Sequence, residues 1–124
     1  MLAPASRPTV LVVDDDAAVR SSLAISLELQ GFDVTTCESG EALLCRELPA
    51  AGVCLVIDER LPGITGMEAL RQLRERNVTL PAILITSHPK PDLRAAAAAA
   101  GVPIVEKPLI GDALMTSIRR ALAS

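Results

Sequence analysis

The chain has 124 residues, half of them hydrophobic and 22% charged, with a formal net charge of −3. That is the size and balance of one folded domain of roughly 100–150 residues, and it excludes a disordered chain. The acidic balance argues against direct nucleic-acid binding, the single aromatic residue (Phe32) against a stacking platform, and no apolar run reaches the ~20 residues of a membrane span.

Residues 1–8 (MLAPASRP) hold two prolines and few apolar groups. They read as a mobile N-terminal tail ahead of a domain over 9–124, and they lack the basic-then-apolar pattern of a signal peptide. Residues 10–13 (VLVV) are apolar throughout, as a strand covered on both faces should be. Asp16 then suits a helix start, with Val19, Leu23 and Leu27 recurring every four residues and Gly31 placed to end the helix. Residues 34–37 are a weaker strand candidate, and residues 54–57 (CLVI) repeat the fully apolar pattern. Thr65 and Glu68 have capping-box spacing ahead of a helix carrying Met67, Leu70 and Leu73. Residues 83–85 predict the fourth strand, the alanine run 95–100 the next helix, and residues 104–105 a short fifth strand. Leu114, Ile118 and Leu122 stripe the last helix. Cys37, Cys45 and Cys54 are odd in number and lack C-x-x-C spacing, which argues against disulfides or zinc and fits a reducing cytoplasm.

Five strand–helix units predict an α/β fold. The expected form is a flavodoxin-like, doubly wound, five-stranded parallel sheet of order 2-1-3-4-5, with helices on both faces. Sites in such sheets form at the carboxyl ends of the strands. Asp14, Asp15 and Asp16 follow the first strand, and Asp58 ends the third. In that order strands one and three are neighbours, so Asp14, Asp15 and Asp58 converge. Like charges this close need a cation or a raised pKa, and oxygen-only ligands suit Mg²⁺. Asp16 reads as a helix cap instead. Thr86 and Ser87 end the fourth strand, and Glu106-Lys107-Pro108 end the fifth. Lys107 would neutralise the acids or hold a phosphoryl oxygen. A carboxylate can attack phosphorus to give an acyl phosphate, and phosphoryl transfer needs little beyond a metal and cations.

With these residues in place the sequence resembles the receiver domain of two-component response regulators over about residues 9–123. The likeness rests on residues 10–16 (VLVVDDD), 55–66 (LVIDERLPGITG), 82–87 (AILITS) and 105–108 (VEKP). The resemblance implies that Asp58 is the phosphoacceptor, taking its group from a sensor histidine kinase or a histidine phosphotransfer protein. It implies Mg²⁺, with Mn²⁺ as a substitute, bound by Asp15 directly, by Asp14 through water, by Asp58 and by the backbone carbonyl of Arg60. Thr86 would be the switch hydroxyl, Lys107 the phosphoryl-pairing lysine, and the Lys107–Pro108 bond cis. The output surface would be the fourth helix, fifth strand and fifth helix, roughly residues 91–123, also the face for a homodimer. The chain would be a cytoplasmic phosphoacceptor rather than an enzyme, losing its phosphoryl group slowly by itself.

Two residues depart from the family pattern. Ile104 stands where many receivers carry Tyr or Phe, so there is no ring to swing. Glu59 follows the phosphoacceptor and adds negative charge that opposes phosphoryl binding unless it points outward or pairs with Arg60. Both keep a phosphorylation-independent binding module as the alternative. His88 reads as an exposed loop residue. A small aspartyl phosphatase is a third reading, but Asp14-Asp15-Asp16 meets its D-x-D spacing only trivially. A nucleotide-binding domain would need a glycine-rich phosphate loop after the first strand, and none is present.

Overall fold

A computed structural model describes residues 7–123. In chain order the elements are β1 (Thr9–Val13), α1 (Ala17–Leu29), β2 (Asp33–Cys37), α2 (Gly40–Leu44), β3 (Val53–Asp58), α3 (Gly66–Glu75), β4 (Ala82–Thr86), α4 (Pro91–Ala99), β5 (Ile104–Glu106) and α5 (Ala113–Ala123). The strands form one sheet in the order β2-β1-β3-β4-β5, and every pairing is parallel. The expected architecture is therefore the one observed. Among the described residues no helix is long and apolar enough to cross a membrane.

The apolar runs of β1, β3 and β4 are buried end to end because each of their faces meets helices. Alternate side chains go to opposite faces. Leu11, Val13, Leu55, Ile57 and Leu84 join Leu43 of α2, Leu70 and Leu73 of α3 and Ala97 of α4. Val10, Val12, Val56, Ile83 and Ile85 join Leu27 of α1 and Leu114 and Ile118 of α5. The sheet thus separates two apolar layers.

Helix starts follow the sequence. Asp16 accepts hydrogen bonds from the N–H groups of Ala18 and Val19, a cap that contributes about 1 kcal/mol. Thr65 accepts from the N–H of Glu68, but the Glu68 carboxylate turns to Arg71, so only half of the expected capping box forms. The helix between β2 and β3 has five residues and a Ser39 cap, too short for a periodic signal.

Helix ends are closed differently. The last turns of α1, α2 and α4 carry no basic residue. Arginines remote in sequence add donors at these ends. Arg7 donates to the carbonyls of Glu28, Gly31 and Phe32, Arg76 to Leu44, and Arg74 to Ala100. These contacts satisfy carbonyls that a helix C-terminus leaves open. Of the expected tail, residues 1–6 lie outside the described residues, whereas Arg7 lies against the end of α1.

The three cysteines are free; Cys45 is exposed, whereas Cys37 and Cys54 are buried. Burial pushes the Cys54 thiol up to about 12, which holds it protonated and unreactive. Alkylation of the folded chain should therefore modify one thiol quickly, and three after unfolding, as read by intact mass. Equal rates at all three would contradict the packing of Cys37 and Cys54.

Candidate functional site

Parallel register brings the strand ends together. Val13 pairs with Ile57, Asp58 with Ile85, and Thr86 with Glu106. The residues at or just past those ends are Asp14, Asp58, Thr86 and Lys107. Asp14 is 1% exposed, Asp58 4% and Thr86 4%, the only buried polar side chains among the described residues. Asp15 is exposed, yet carboxylate oxygens of Asp14, Asp15 and Asp58 all lie within 4.8 Å of one another.

Each acid is held differently. Asp14 Oδ1 accepts the N–H of Asp16 at 2.9 Å, and Arg20 donates to the Asp14 carbonyl at 2.7 Å. Asp14 Oδ2 is buried with no hydrogen-bond partner. Asp58 Oδ1 accepts the N–H of Arg60 at 3.0 Å, and its Oδ2 accepts from Lys107 Nζ at 2.7 Å. Lys107 Nζ lies 3.7 Å from Asp14 Oδ2, an ion-pair contact longer than a hydrogen bond. The Lys107–Pro108 bond is cis.

The electrostatics follow from these contacts. Burial raises the Asp14 pKa; the Asp16 N–H pulls the other way, and the Asp58 charge adds to the rise. Burial pulls Lys107 down, but its hydrogen bond to Asp58 and the charges of Asp58 and Asp14 outweigh it, so its pKa is raised. One lysine therefore serves two buried carboxylates, and the orphaned Asp14 oxygen has none of its own. An unsatisfied buried acceptor beside two other carboxylates is what a hard, oxygen-preferring cation would satisfy. The residues present fit Mg²⁺.

Thr86 stands apart from the acids. Its hydroxyl donates to the Ser87 carbonyl at 3.3 Å. Its side chain lines a cleft of about 540 Å³ with Glu59, Arg60, His88 and Lys90. His88 is exposed and has a left-handed backbone, φ 47°. Ile104 is half-buried against the layer that holds Leu84. In α4 the alanines at 95, 96, 98 and 99 are exposed, and only Ala97 packs inward.

Glu59 is the residue whose placement sequence reasoning missed. It neither points into solvent nor pairs with Arg60. Its carboxylate is half-buried and accepts the N–H of Met67, in the first turn of α3, at 2.8 Å. Burial raises its pKa, the Met67 N–H lowers it, and the Asp58 charge raises it further. Because Met67 lies eight positions along a folded-back loop, no local spacing signals the contact.

Fold and site together define a flavodoxin-like α/β chain with an acid cluster at the carboxyl edge of its central strands. A family model described as "Response regulator receiver domain" matches residues 10–119. The chain is 43% identical over 117 residues to the C4-dicarboxylate transport transcriptional regulatory protein DctD of Pseudomonas aeruginosa, covering 91% of this chain and 25% of that protein. It is 39% identical over 120 residues to the transcriptional regulatory protein FixJ of Azorhizobium caulinodans, covering 96% of this chain and 56% of that one. Among solved structures it is similar to FixJ-N, with TM-score 0.83 and 34% identity, covering 96% of each chain. It is also similar to the response regulator StyR, with TM-score 0.87 and 35% identity, over 95% of this chain and 60% of that one. The chain belongs to the response regulator receiver domain family. It spans about a quarter of the first of these curated relatives and about half of the second.

Proposed function

We propose that the chain is a phosphorylation switch with Asp58 as its phosphoacceptor. The observation that supports this best is the setting of the Asp58 carboxylate. It is buried at the end of β3, oriented by Lys107 Nζ at 2.7 Å and the Arg60 N–H at 3.0 Å, and faces two further carboxylates. An Asp58 oxygen attacks the phosphorus of a phosphohistidine. The new P–O bond forms as the P–N bond breaks, and the leaving imidazole nitrogen keeps the electron pair and takes a proton. Asp15, Asp14 through a water, Asp58 and the Arg60 carbonyl would hold Mg²⁺, with Mn²⁺ as a substitute. When bound, that ion supplies positive charge to the phosphoryl oxygens. Lys107 follows the charge from the carboxylate to a phosphoryl oxygen, where it acts as a point charge.

Thr86 is the proposed switch. Its hydroxyl leaves the Ser87 carbonyl for a phosphoryl oxygen, and the loop of residues 87–91 moves with it. The α4, β5 and α5 face would then change its affinity for a partner, an output domain or a second copy. The phosphoryl group shifts the equilibrium only by its differential affinity for the two states. Proposed donors are a sensor histidine kinase or a histidine phosphotransfer protein. The chain itself would bind neither nucleic acid nor membrane, would work in the cytoplasm, and would lose its phosphoryl group slowly rather than turn over substrate. Glu59 is one support of the phosphorylation-independent reading, and its carboxylate is engaged by α3 instead of standing free beside Asp58.

The test is intact mass after incubation with a small acyl phosphate donor, with and without Mg²⁺. The expected result is a single phosphoryl addition that requires the metal. No addition, even with a quench fast enough to catch a labile acyl phosphate, would overturn the proposal in favour of the binding module.

A further inference from the structure

We infer that Glu59 is a positioning residue that fixes the loop between β3 and α3 in its metal-ready shape; the inference rests on the metal site proposed above. Three bonds converge on this residue. Its N–H donates to the Ile85 carbonyl at 3.0 Å, which ties it to β4. Its own carbonyl accepts the Gly66 N–H at 3.2 Å, and its carboxylate accepts the Met67 N–H at 2.8 Å. Both donors belong to the first turn of α3, where backbone N–H groups lack helical partners and the helix dipole favours a negative charge. One residue therefore joins the end of β3, the edge of β4 and the start of α3.

Arg60 is the next residue along. Its N–H is fixed on Asp58 Oδ1, and its carbonyl is a proposed ligand. The loop has little freedom elsewhere. Glu41 of α2 accepts the Ile64 N–H at 3.2 Å, and a Cβ added at Gly63 (φ 77°) would stand 2.0 Å from that carboxylate. A Cβ at Gly66 would stand 2.6 Å from the Asp58 carbonyl. The loop is thus held at its apex by Glu41 and at its helix end by Glu59. Without the Glu59 carboxylate the Met67 N–H loses its acceptor and the Arg60 carbonyl loses half of its frame. Ligands held in place by such outer contacts bind metal more tightly than ligands left to find their positions.

A second role for Glu59 predicts something different. As a bare negative charge near the acids it would attract a cation through space. The two roles separate in two variants. Glu59→Gln keeps an oxygen that can accept the Met67 N–H but removes the charge, whereas Glu59→Ala removes both. The measurement is a MgCl₂ titration followed by backbone amide NMR shifts of Asp15 and Arg60, with thermal unfolding of the metal-free proteins alongside. The expected result is Mg²⁺ affinity near wild type in Glu59→Gln and weaker by on the order of tenfold in Glu59→Ala, both remaining folded at the titration temperature. Equal weakening in both variants would assign the effect to charge and overturn the inference. Wild-type affinity in both would overturn it as well, while leaving the metal site intact. A wild-type chain that takes up no Mg²⁺ would overturn the metal site and the inference together.

Discussion

Asp58→Asn leaves no phosphoryl adduct on the chain under conditions that label the wild type stoichiometrically. The amide nitrogen is not a nucleophile toward phosphorus, and no neighbouring carboxylate is placed to replace Asp58. Asp14 is deeper, with one oxygen bonded to the Asp16 N–H and the other more than a hydrogen bond from Lys107. Glu59 is held by the Met67 N–H. Asp15 is exposed, and the Arg60 N–H and Lys107 Nζ are bonded to Asp58 instead. The fold should survive, since an amide oxygen can still accept the Arg60 N–H and one of three crowded acids becomes neutral. Intact mass reads the adduct, and circular dichroism reads the fold. Full labelling of the variant at another residue would remove Asp58 from its proposed role.

Asp14→Asn stabilises the metal-free chain by about 1 kcal/mol and abolishes its response to Mg²⁺. The Asp14 carboxylate is 1% exposed, and its Oδ2 has no hydrogen-bond partner. An amide there keeps the bond from the Asp16 N–H and turns the orphaned acceptor into a donor facing Asp58. The direction follows from the raised pKa of Asp14. A carboxylate raised in the folded state holds its proton more tightly there than in the unfolded chain. Its ionised form therefore costs stability at neutral pH, and the cost fades as pH falls through the folded pKa. The gap between variant and wild type should be widest near neutrality and close on acidification. Urea unfolding in a chelator measures it. Added Mg²⁺ should raise the wild-type midpoint by mass action and leave the variant unmoved. A variant less stable than wild type without metal would mean that attraction to Lys107 outweighs burial and repulsion.

These expectations depend on side chains that differ in how openly the sequence announces them. The runs at β1, β3 and β4 are legible because a strand covered on both faces has no reason to alternate, and the residue just past each run then falls at the sheet's carboxyl edge. Asp14, Asp58 and Thr86 could be placed on that ground alone, whereas Lys107 follows the short, partly exposed β5. Thr86 illustrates the limit. Strand-end position puts it at the edge, but not which neighbour its hydroxyl meets, and here that neighbour is the Ser87 carbonyl. Helix α2 has too few residues to show a period. From the sequence Glu59 reads only as a charge beside the acceptor, because sequence distance says nothing of a loop that doubles back onto its own helix. The grip of Arg20 on the Asp14 carbonyl is hidden for the same reason, since a guanidinium that bonds a backbone leaves no mark on its partner's side chain.

The arginines that finish α1, α2 and α4 bear on how the molecule comes apart. Each reaches its helix end from a distance of 20 or more positions: Arg7 to Glu28 by 21, Arg74 to Ala100 by 26, Arg76 to Leu44 by 32. Local backbone bonds close each of these helices, and a remote segment adds a further donor at the end. A peptide cut out to contain α1 or α4 alone would keep its local backbone bonds but lose the arginine contact, and should fray more than the same helix in the intact chain. In the intact chain the loss of one element exposes the carbonyls of another, so local openings tend to propagate. The domain should unfold as one cooperative unit instead of shedding helices one by one, with the helix ends as protected from hydrogen exchange as the strands they flank.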